Sequence, residues 1–151
     1  MTREDGIHRI EAHVSGVCIS SEGHDRVLLG KRADWRQLFP SHWECGGGQV
    51  LLNQSFDEAV RAHLHDEFGL TIGTVQPFCT YAIQLSDGGV IPGLRFVCPI
   101  SPEAQVTIDN RQIVEFAWVP LEKLPDYRTI PGLAEEILEG ARVLRASGSR
   151  V

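Results

Sequence analysis

The sequence of 151 residues lacks an excess of positive charge, because it contains 14 Lys and Arg against 20 Asp and Glu and has a formal net charge of -6. A groove for DNA or RNA needs clustered Lys and Arg that neutralise phosphates along the polymer. We therefore expect no polymeric nucleic acid as a partner.

The four cysteines lack the C-x-x-C spacing that is typical of a zinc ribbon. Cys18, Cys45, Cys79 and Cys98 are widely separated, and three of them lie in apolar runs. A reduced, buried thiol is the expected state in such a run. Neither a disulfide framework nor a structural zinc site is predicted.

Long apolar runs are also absent, and no stretch reaches the length that spans a membrane. The N-terminal segment MTREDGIHRIEAH is charged and has no apolar core of a signal peptide. We expect a cytoplasmic protein without membrane association. Repeats and low-complexity linkers are missing, and 42% hydrophobic with 23% charged residues is ordinary globular usage, so one domain is predicted over residues 1–151.

Hydrophobic periodicity predicts several strands with one early and one late helix. Alternating or apolar segments predict strands over residues 9–20, 27–32, 76–85, 94–100 and 113–119. Helical spacing predicts helices over residues 56–68, ended by Gly69, and 133–146. The buried stripe of the second helix is predicted to contain Leu133, Ile137, Leu138, Ala141 and Leu144. Pro92 and Gly93 are expected to form a bend, and the strands are expected to form a mixed sheet between helices.

Residues 46–70, GGGQVLLNQSFDEAVRAHLHDEFGL, place a glycine-rich turn before an amphipathic helix that ends in paired carboxylates. On this helix His63, Asp66 and Glu67 are three and four residues apart and so share a face beside the glycines. Carboxylate oxygens are the ligands that Mg²⁺ or Mn²⁺ prefers, and such ions bridge diphosphate oxygens and activate water. The pattern predicts a metal site.

This segment resembles the Nudix box, which reads Gly, five residues, Glu, seven residues, then Arg-Glu-apolar-x-Glu-Glu-x-Gly-apolar. The positions that match it are Gly48, Leu64, Glu67, Gly69 and Leu70, with Asp66 replacing the first Glu of the closing pair. The positions that depart from it are Gln54, Ala62 and His63, which replace Glu, Arg and Glu. VLLGKR, LFPSHWECGGG and VEFAWVPLEKL also resemble family segments, so the resemblance covers most of the chain. It implies a Nudix-type α/β/α sandwich with a mixed β-sheet.

The resemblance also implies an activity and a set of site residues. The expected protein is a Mg²⁺- or Mn²⁺-dependent hydrolase of a nucleoside diphosphate linked to another moiety, a small phosphorylated molecule. Asp66, Glu67 and the Gly47 carbonyl are the implied metal ligands, and Gly47 and Gly48 form the implied phosphate-facing turn. Gly46 replaces a family Pro, so a looser turn is expected.

Several roles have a structural alternative. His63 or Glu115 is a candidate general base, yet a solvated helix residue and a solvent-facing strand residue explain them as well. Arg32 is a candidate phosphate ligand, although isolated arginines are usually surface charges. Glu44 is a possible compensating metal ligand, but exposure at a strand edge is the preferred interpretation.

The three changed box positions leave the activity open. Gln54 and Ala62 remove both partners of an implied ion pair together, which is compatible with an intact fold. His63 is a poorer Mg²⁺ ligand than Glu. The alternatives are a non-catalytic module that binds a nucleotide, metabolite or protein, and a repurposed enzyme such as an isomerase, whose expected Cys falls at Gly47, two residues from Cys45. A homodimer is also compatible with the sequence.

Overall fold

The computed structural model describes residues 9–148. Residues 1–8, which include most of the segment used to argue against a signal peptide, lie outside the described part. Over residues 9–148 the chain forms seven strands, two α-helices and one 3-10 helix. Their bounds are β1 His13–Ser20, β2 Arg26–Arg32, β3 Trp43–Glu44, β4 Gly46–Gln49, α1 Phe56–Phe68, β5 Gln76–Gln84, β6 Val90–Ile100, β7 Ile113–Pro120, the 3-10 helix Leu121–Asp126, and α2 Leu133–Gly148.

The strands form one mixed sheet with the order β3-β2-β1-β6-β5, in which β4 also pairs with β1 and β7 with β2. β1 is parallel to β6, while the other pairings are antiparallel. On its other edge β1 meets β4 along its first half and reaches β2 only at Ile19↔Val27. The sheet therefore forks, and β3 and β4 lie on the two branches.

The two α-helices cover opposite faces of this sheet. Successive strand residues point to opposite faces, so Val14 and Cys18 pack with Leu64 and Phe68 of α1. Val17, Ile19 and Val97 pack instead with Ile137 and Ala141 of α2. This arrangement confirms the predicted α/β/α sandwich with a mixed sheet.

Helix α1 has the predicted bounds because both of its ends are capped. The Ser55 hydroxyl accepts the Glu58 N–H, and the Glu58 carboxylate accepts the Ser55 N–H, which is a reciprocal capping box. Gly69 ends the helix with φ 70°, a left-handed conformation that favours glycine.

Three local predictions were wrong. Pro92 and Gly93 form no bend but lie inside β6, where Gly93 leaves room for the Tyr81 ring, 2.3 Å from where a Cβ would be. Leu138 is 49% exposed, because one residue turns a helix by about 100° and Ile137 already points into the core. The three glycines at residues 46–48 form no loose turn but belong to β4.

All four cysteines of the described chain are free, as predicted, and Cys18, Cys45 and Cys98 are buried. A hydrogen bond with Cys98 and burial raise the pKa of Cys18, so its thiol is not poised to react. No helix within residues 9–148 combines the length and the apolar character needed to cross a bilayer. One domain over residues 1–151 stays a prediction.

Candidate active site

Glu67 is a buried carboxyl group in the last turn of α1, facing β4. Its Oε2 accepts the N–H of Gly47 at 3.1 Å. Burial, reinforced by the charge of Glu44, raises the pKa of Glu67 to about 8, although the Gly47 hydrogen bond and the charge of Arg36 act in the opposite direction. A buried carboxyl group whose pKa is raised this far is a candidate functional group.

Gly47 brings its backbone to Glu67 because β4 runs very close to β1, where a Cβ on Gly47 would lie 2.2 Å from the Val14 carbonyl oxygen. Val50 donates its N–H to Ala12 O, so Ala12 and Val50 form a hydrogen-bonded pair. The pairing of β1 with β4 continues from there and places Gly47 opposite Ser15, three pairs along. Hydrogen-bonded and non-bonded pairs alternate in an antiparallel ladder, so the N–H and C=O of Gly47 point away from β1. The N–H bonds to Glu67, and the C=O is an oxygen donor on the same edge.

His63 lies one turn before Glu67, over Gly48, which has no room for a side chain because its Cβ would be 2.5 Å from the imidazole. Nε2 of His63 is 2.8 Å from the Gln49 carbonyl oxygen. A carbonyl only accepts hydrogen bonds, so Nε2 carries the hydrogen and Nδ1 holds the lone pair of the neutral ring. Nδ1 lies 3.9 Å from Glu67 Oε2, which places a proton acceptor beside the buried carboxyl group.

Asp66 and Glu115 are not brought to Glu67. The Asp66 side chain is 76% exposed and lies 3.6 Å from His65. Glu115 is exposed and pairs with Lys31 of β2. Gly30, the residue before Lys31, faces Phe68 on the α1 side of the sheet. Because neighbouring strand residues point to opposite faces, Glu115 points away from α1. Their proposed roles stay predictions.

Glu44 belongs to a buried charge cluster with two arginines, so the expected exposure at a strand edge was wrong. Arg32 Nη1 lies 2.6 Å from Glu44 Oε2, and Arg32 Nε donates to Leu38 O at 2.9 Å. Arg36 Nη1 lies 3.6 Å from Glu44 Oε1. Burial raises the pKa of Glu44 in spite of both arginines. The predicted phosphate contact of Arg32 stays a prediction, since the contacts described for it are with the protein.

Asp109 is a residue of this region that sequence reasoning missed. Its charge acts on both Glu67 and Arg36. Burial acts the other way, but backbone N–H groups of Arg111, Ile113 and Gln112 hold the pKa of Asp109 below its usual value. Asp-Asn just before a strand is a turn signal that could have identified it.

The oxygen atoms available beside Glu67 suit a hard ion whose other ligands are water and substrate phosphates. Within residues 9–148 no three His, Cys, Asp or Glu side chains form a group that could hold a metal ion. Mg²⁺, however, is often held by one or two carboxylates together with water and substrate phosphates. The Glu67 carboxylate and the Gly47 carbonyl fit that requirement. Cys45 offers no alternative nucleophile, because burial raises its pKa to about 12.

Sequence comparison relates the chain to nucleotide hydrolases. It is 30% identical over 121 residues to the nucleoside triphosphatase NudI of Escherichia fergusonii, covering 74% of this chain and 84% of that protein. NudI of an Escherichia coli O17:K52:H18 strain is 31% identical over the same coverage. No family model matches the sequence.

Solved structures share the fold at lower identity. The NUDIX domain of Shewanella oneidensis NrtR, complexed with ADP ribose, has a TM-score of 0.74 at 17% identity, covering 93% of this chain and 92% of that one. The MutT protein of Methanosarcina mazei has a TM-score of 0.72 at 21% identity, with 89% and 94% covered. A Caenorhabditis elegans Ap4A hydrolase has 0.73 at 13% identity, with 91% and 99% covered.

The capped box helix, the forked sheet and the NudI relatives together define the class: the chain belongs to the Nudix superfamily. The resemblance inferred from the box is thereby confirmed, although three of its charged positions have changed.

Proposed function

We propose that the protein hydrolyses a nucleoside diphosphate linked to another moiety, at a low rate and with Mg²⁺ or Mn²⁺. The observation that carries this proposal is the buried carboxyl group of Glu67, bonded to Gly47 and flanked by the His63 imidazole. Glu67 is a charged box position that is unchanged, and His63 is a changed position whose side chain can still accept a proton.

Each residue has a distinct part in the proposal. The Glu67 carboxylate and the Gly47 carbonyl hold the ion, which when bound polarises phosphoryl oxygens and lowers the pKa of water. His63 accepts a proton at Nδ1, because Nε2 is bonded to Gln49 O. Arg32 holds Leu38 and Glu44 in place beside the site. Asp66 and Glu115 have no part in these steps as proposed, and their roles as metal ligand and general base stay predictions.

The proposed substrate class is supported by chemistry that the relatives' names share. A nucleoside triphosphatase, a domain complexed with ADP ribose and an Ap4A hydrolase are all named for a nucleotide compound. The substrate proposed for the present chain is a nucleotide compound of this kind, a nucleoside diphosphate linked to another moiety. A cytoplasmic location and a homodimer stay predictions.

The test is product formation from nucleoside triphosphates, ADP ribose and dinucleoside polyphosphates with Mg²⁺ or Mn²⁺. Wild type is compared with Glu67→Gln and with Glu103→Gln, which removes an exposed carboxylate outside the site. We expect metal-dependent cleavage that Glu67→Gln reduces by about a hundredfold or more and that Glu103→Gln leaves unchanged. A folded, metal-replete wild type that cleaves none of these compounds contradicts the proposal.

A non-catalytic nucleotide-binding module is the second candidate. It is favoured by the absence, within residues 9–148, of a group of three metal-binding side chains. It is also favoured by the pairing of Glu44 with Arg32 and Arg36, which engages a carboxylate that could otherwise bind a metal ion. Saturable nucleotide binding without turnover, measured by calorimetry on the same wild-type protein, is the result that selects it.

A further inference from the structure

Strand β7 lies at an open edge of the sheet. Among residues 9–148 it pairs with β2 and with no other strand. Leu121 donates its N–H to Asp25 O, so this pair and every second pair before it along β7 are hydrogen-bonded to β2. Phe116 and Trp118 lie between those pairs, so their N–H and C=O groups point to the open edge. Such groups are a template for pairing with another strand.

The features that usually protect an edge strand lie only at the ends of β7. Pro120, which has no N–H, is its last residue, and the register with β2 shifts between Glu115 and Ile113. The segment of residues 114–118 contains neither lysine nor proline. Val114 is 44% exposed and Phe116 is 40% exposed. An exposed edge with apolar side chains favours association with a further strand.

Residues 114–118 are complementary to the same residues of a second copy in one antiparallel register. A twofold axis at Phe116 places Phe116 opposite its own copy and Val114 opposite Trp118. The outward N–H and C=O groups of the two strands then meet along the edge. Aromatic and β-branched side chains also form the cross-strand pairs, which contribute about 0.2–1 kcal/mol each relative to alanine pairs.

Charge and proline select this register over its neighbours. With the axis at Phe116, Glu115 lies opposite Ala117. An axis at Glu115 would place two carboxylates directly opposite each other, which is destabilising. An axis at Ala117 would place Val114 opposite Pro120, which cannot donate a hydrogen bond. The register centred on Phe116 avoids both costs.

Trp35 enlarges the exposed apolar surface at the N-terminal end of β7. Its Nε1 donates to Arg111 O at 3.2 Å, and the residue is 64% exposed. Stable specific interfaces bury about 1,200–2,000 Å² in total. A short paired segment and one further ring from each copy are small on that scale. We therefore expect a weak interface, with a dissociation constant on the order of tens of micromolar.

We propose that two copies of this chain associate through β7, paired antiparallel about a twofold axis at Phe116, so that the sheet continues from one copy into the other. A second copy fits this edge because residues 114–118 supply both the backbone groups and the apolar side chains that the edge lacks. The inference is independent of the proposed hydrolysis, since neither Glu67 nor His63 belongs to β7.

The first test is sedimentation equilibrium of the whole protein over a wide range of concentration. We expect wild type to be a reversible mixture of monomer and dimer. Phe116→Lys places two like charges opposite each other at the axis and should weaken association about tenfold or more. Val90→Lys changes an apolar residue of β6 that is 53% exposed and should leave association unchanged. Circular dichroism shows whether both variants are folded.

The register is tested by cross-linking and by amide hydrogen exchange. Opposed Cα atoms of a hydrogen-bonded antiparallel pair are about 5.5 Å apart, which a disulfide can span. Mild oxidation should therefore join two copies of Phe116→Cys, whereas Val90→Cys should behave like wild type. The amides of Phe116 and Trp118 should exchange more slowly at high protein concentration. The amide of Ala117, which faces β2, should change little.

A wild type that remains monomeric up to about 1 mM overturns the inference. A dimer that Phe116→Lys does not weaken overturns it as well. Equal cross-linking of Val90→Cys and Phe116→Cys would assign the contact to another surface, with the same consequence. If Phe116→Lys does not fold, the exchange rates of the wild-type amides decide the question.

Discussion

Among single residues, Glu67 has the environment with the clearest consequence for stability. A carboxyl group whose pKa is raised from 4.5 to about 8 binds its proton more tightly in the folded than in the unfolded chain. The associated stability is present at acid pH and is lost as pH rises from 4.5 toward 8. Glu44, whose pKa is also raised, contributes in the same direction.

Glu67→Gln should therefore flatten the dependence of stability on pH. In metal-free buffer we expect the free energy of unfolding of wild type to fall by on the order of a few kcal/mol between pH 5 and pH 9. The variant should lose less over this range and should be the more stable protein at pH 9. Urea denaturation at each pH measures this, with Glu103→Gln as control. Parallel curves for wild type and Glu67→Gln would contradict the pKa assigned to Glu67.

His63→Glu should strengthen Mg²⁺ binding at the proposed site. Nδ1 of His63 lies 3.9 Å from Glu67, so a carboxylate there would give a hard cation a second charged oxygen ligand. We expect Mg²⁺ to bind about tenfold more tightly, measured by calorimetry. His65→Glu adds the same charge on the exposed side of α1 and serves as control. Equal affinities in the two variants would show that only total charge matters.

At the level of secondary-structure elements, α1 depends on its first turn although its functional residues lie near its end. Ser55→Ala removes one half of the capping box and leaves the Glu58 N–H without its partner. We expect a loss of about 1 kcal/mol in the free energy of unfolding. Urea denaturation of Ser86→Ala, in an exposed turn, should differ from wild type by less than about 0.5 kcal/mol. A Ser55→Ala variant as stable as Ser86→Ala would refute this account of the helix start.

The elements themselves were largely predictable because their signals are local. Ser55, Glu58 and Gly69 determine both ends of α1 from neighbouring residues. The bend at Pro92 and Gly93 was wrong, because Pro92 pairs with β5 and Gly93 pairs with both β5 and β1, and this long-range pairing outweighs the local preference of proline. In the site, His63 and Glu67 could be placed together by helical spacing alone. The effect of Glu44 and Asp109 on the pKa of Glu67 could not be predicted in this way, because these residues lie on a separate strand and a distant loop.

For the whole molecule, an ion pair between buried Arg95 and partly exposed Glu136 helps to hold α2 against the sheet, in addition to the apolar packing of Ile137 and Ala141. Arg95 of β6 contacts Glu136 of α2 at 2.8 Å and Ser15 of β1 at 2.9 Å. Its guanidinium also lies over the Tyr81 ring of β5, 4.2 Å from the centroid. One side chain thus connects three strands and a helix.

Glu136→Gln should destabilise the protein far more than the same change at Glu139. The first leaves the Arg95 charge buried without its partner, at a cost of about 2 to 3 kcal/mol. The second removes an exposed pair with Arg142 and should cost less than about 0.5 kcal/mol. Chemical denaturation of both variants gives the comparison. Similar losses in the two proteins would mean that Arg95 finds another partner or that the pair adds little.

The altered box also affects the order in which an anionic ligand and a cation are expected to bind near Glu67. Relative to the family pattern, Gln54 and His63 remove two negative charges while Ala62 removes one positive charge. An anionic molecule that approaches Glu67 therefore meets weaker repulsion than the family pattern would give, before any cation has bound. We expect its association rate to depend little on magnesium concentration. Under the proposed function, the nucleotide is then expected to bind before the ion.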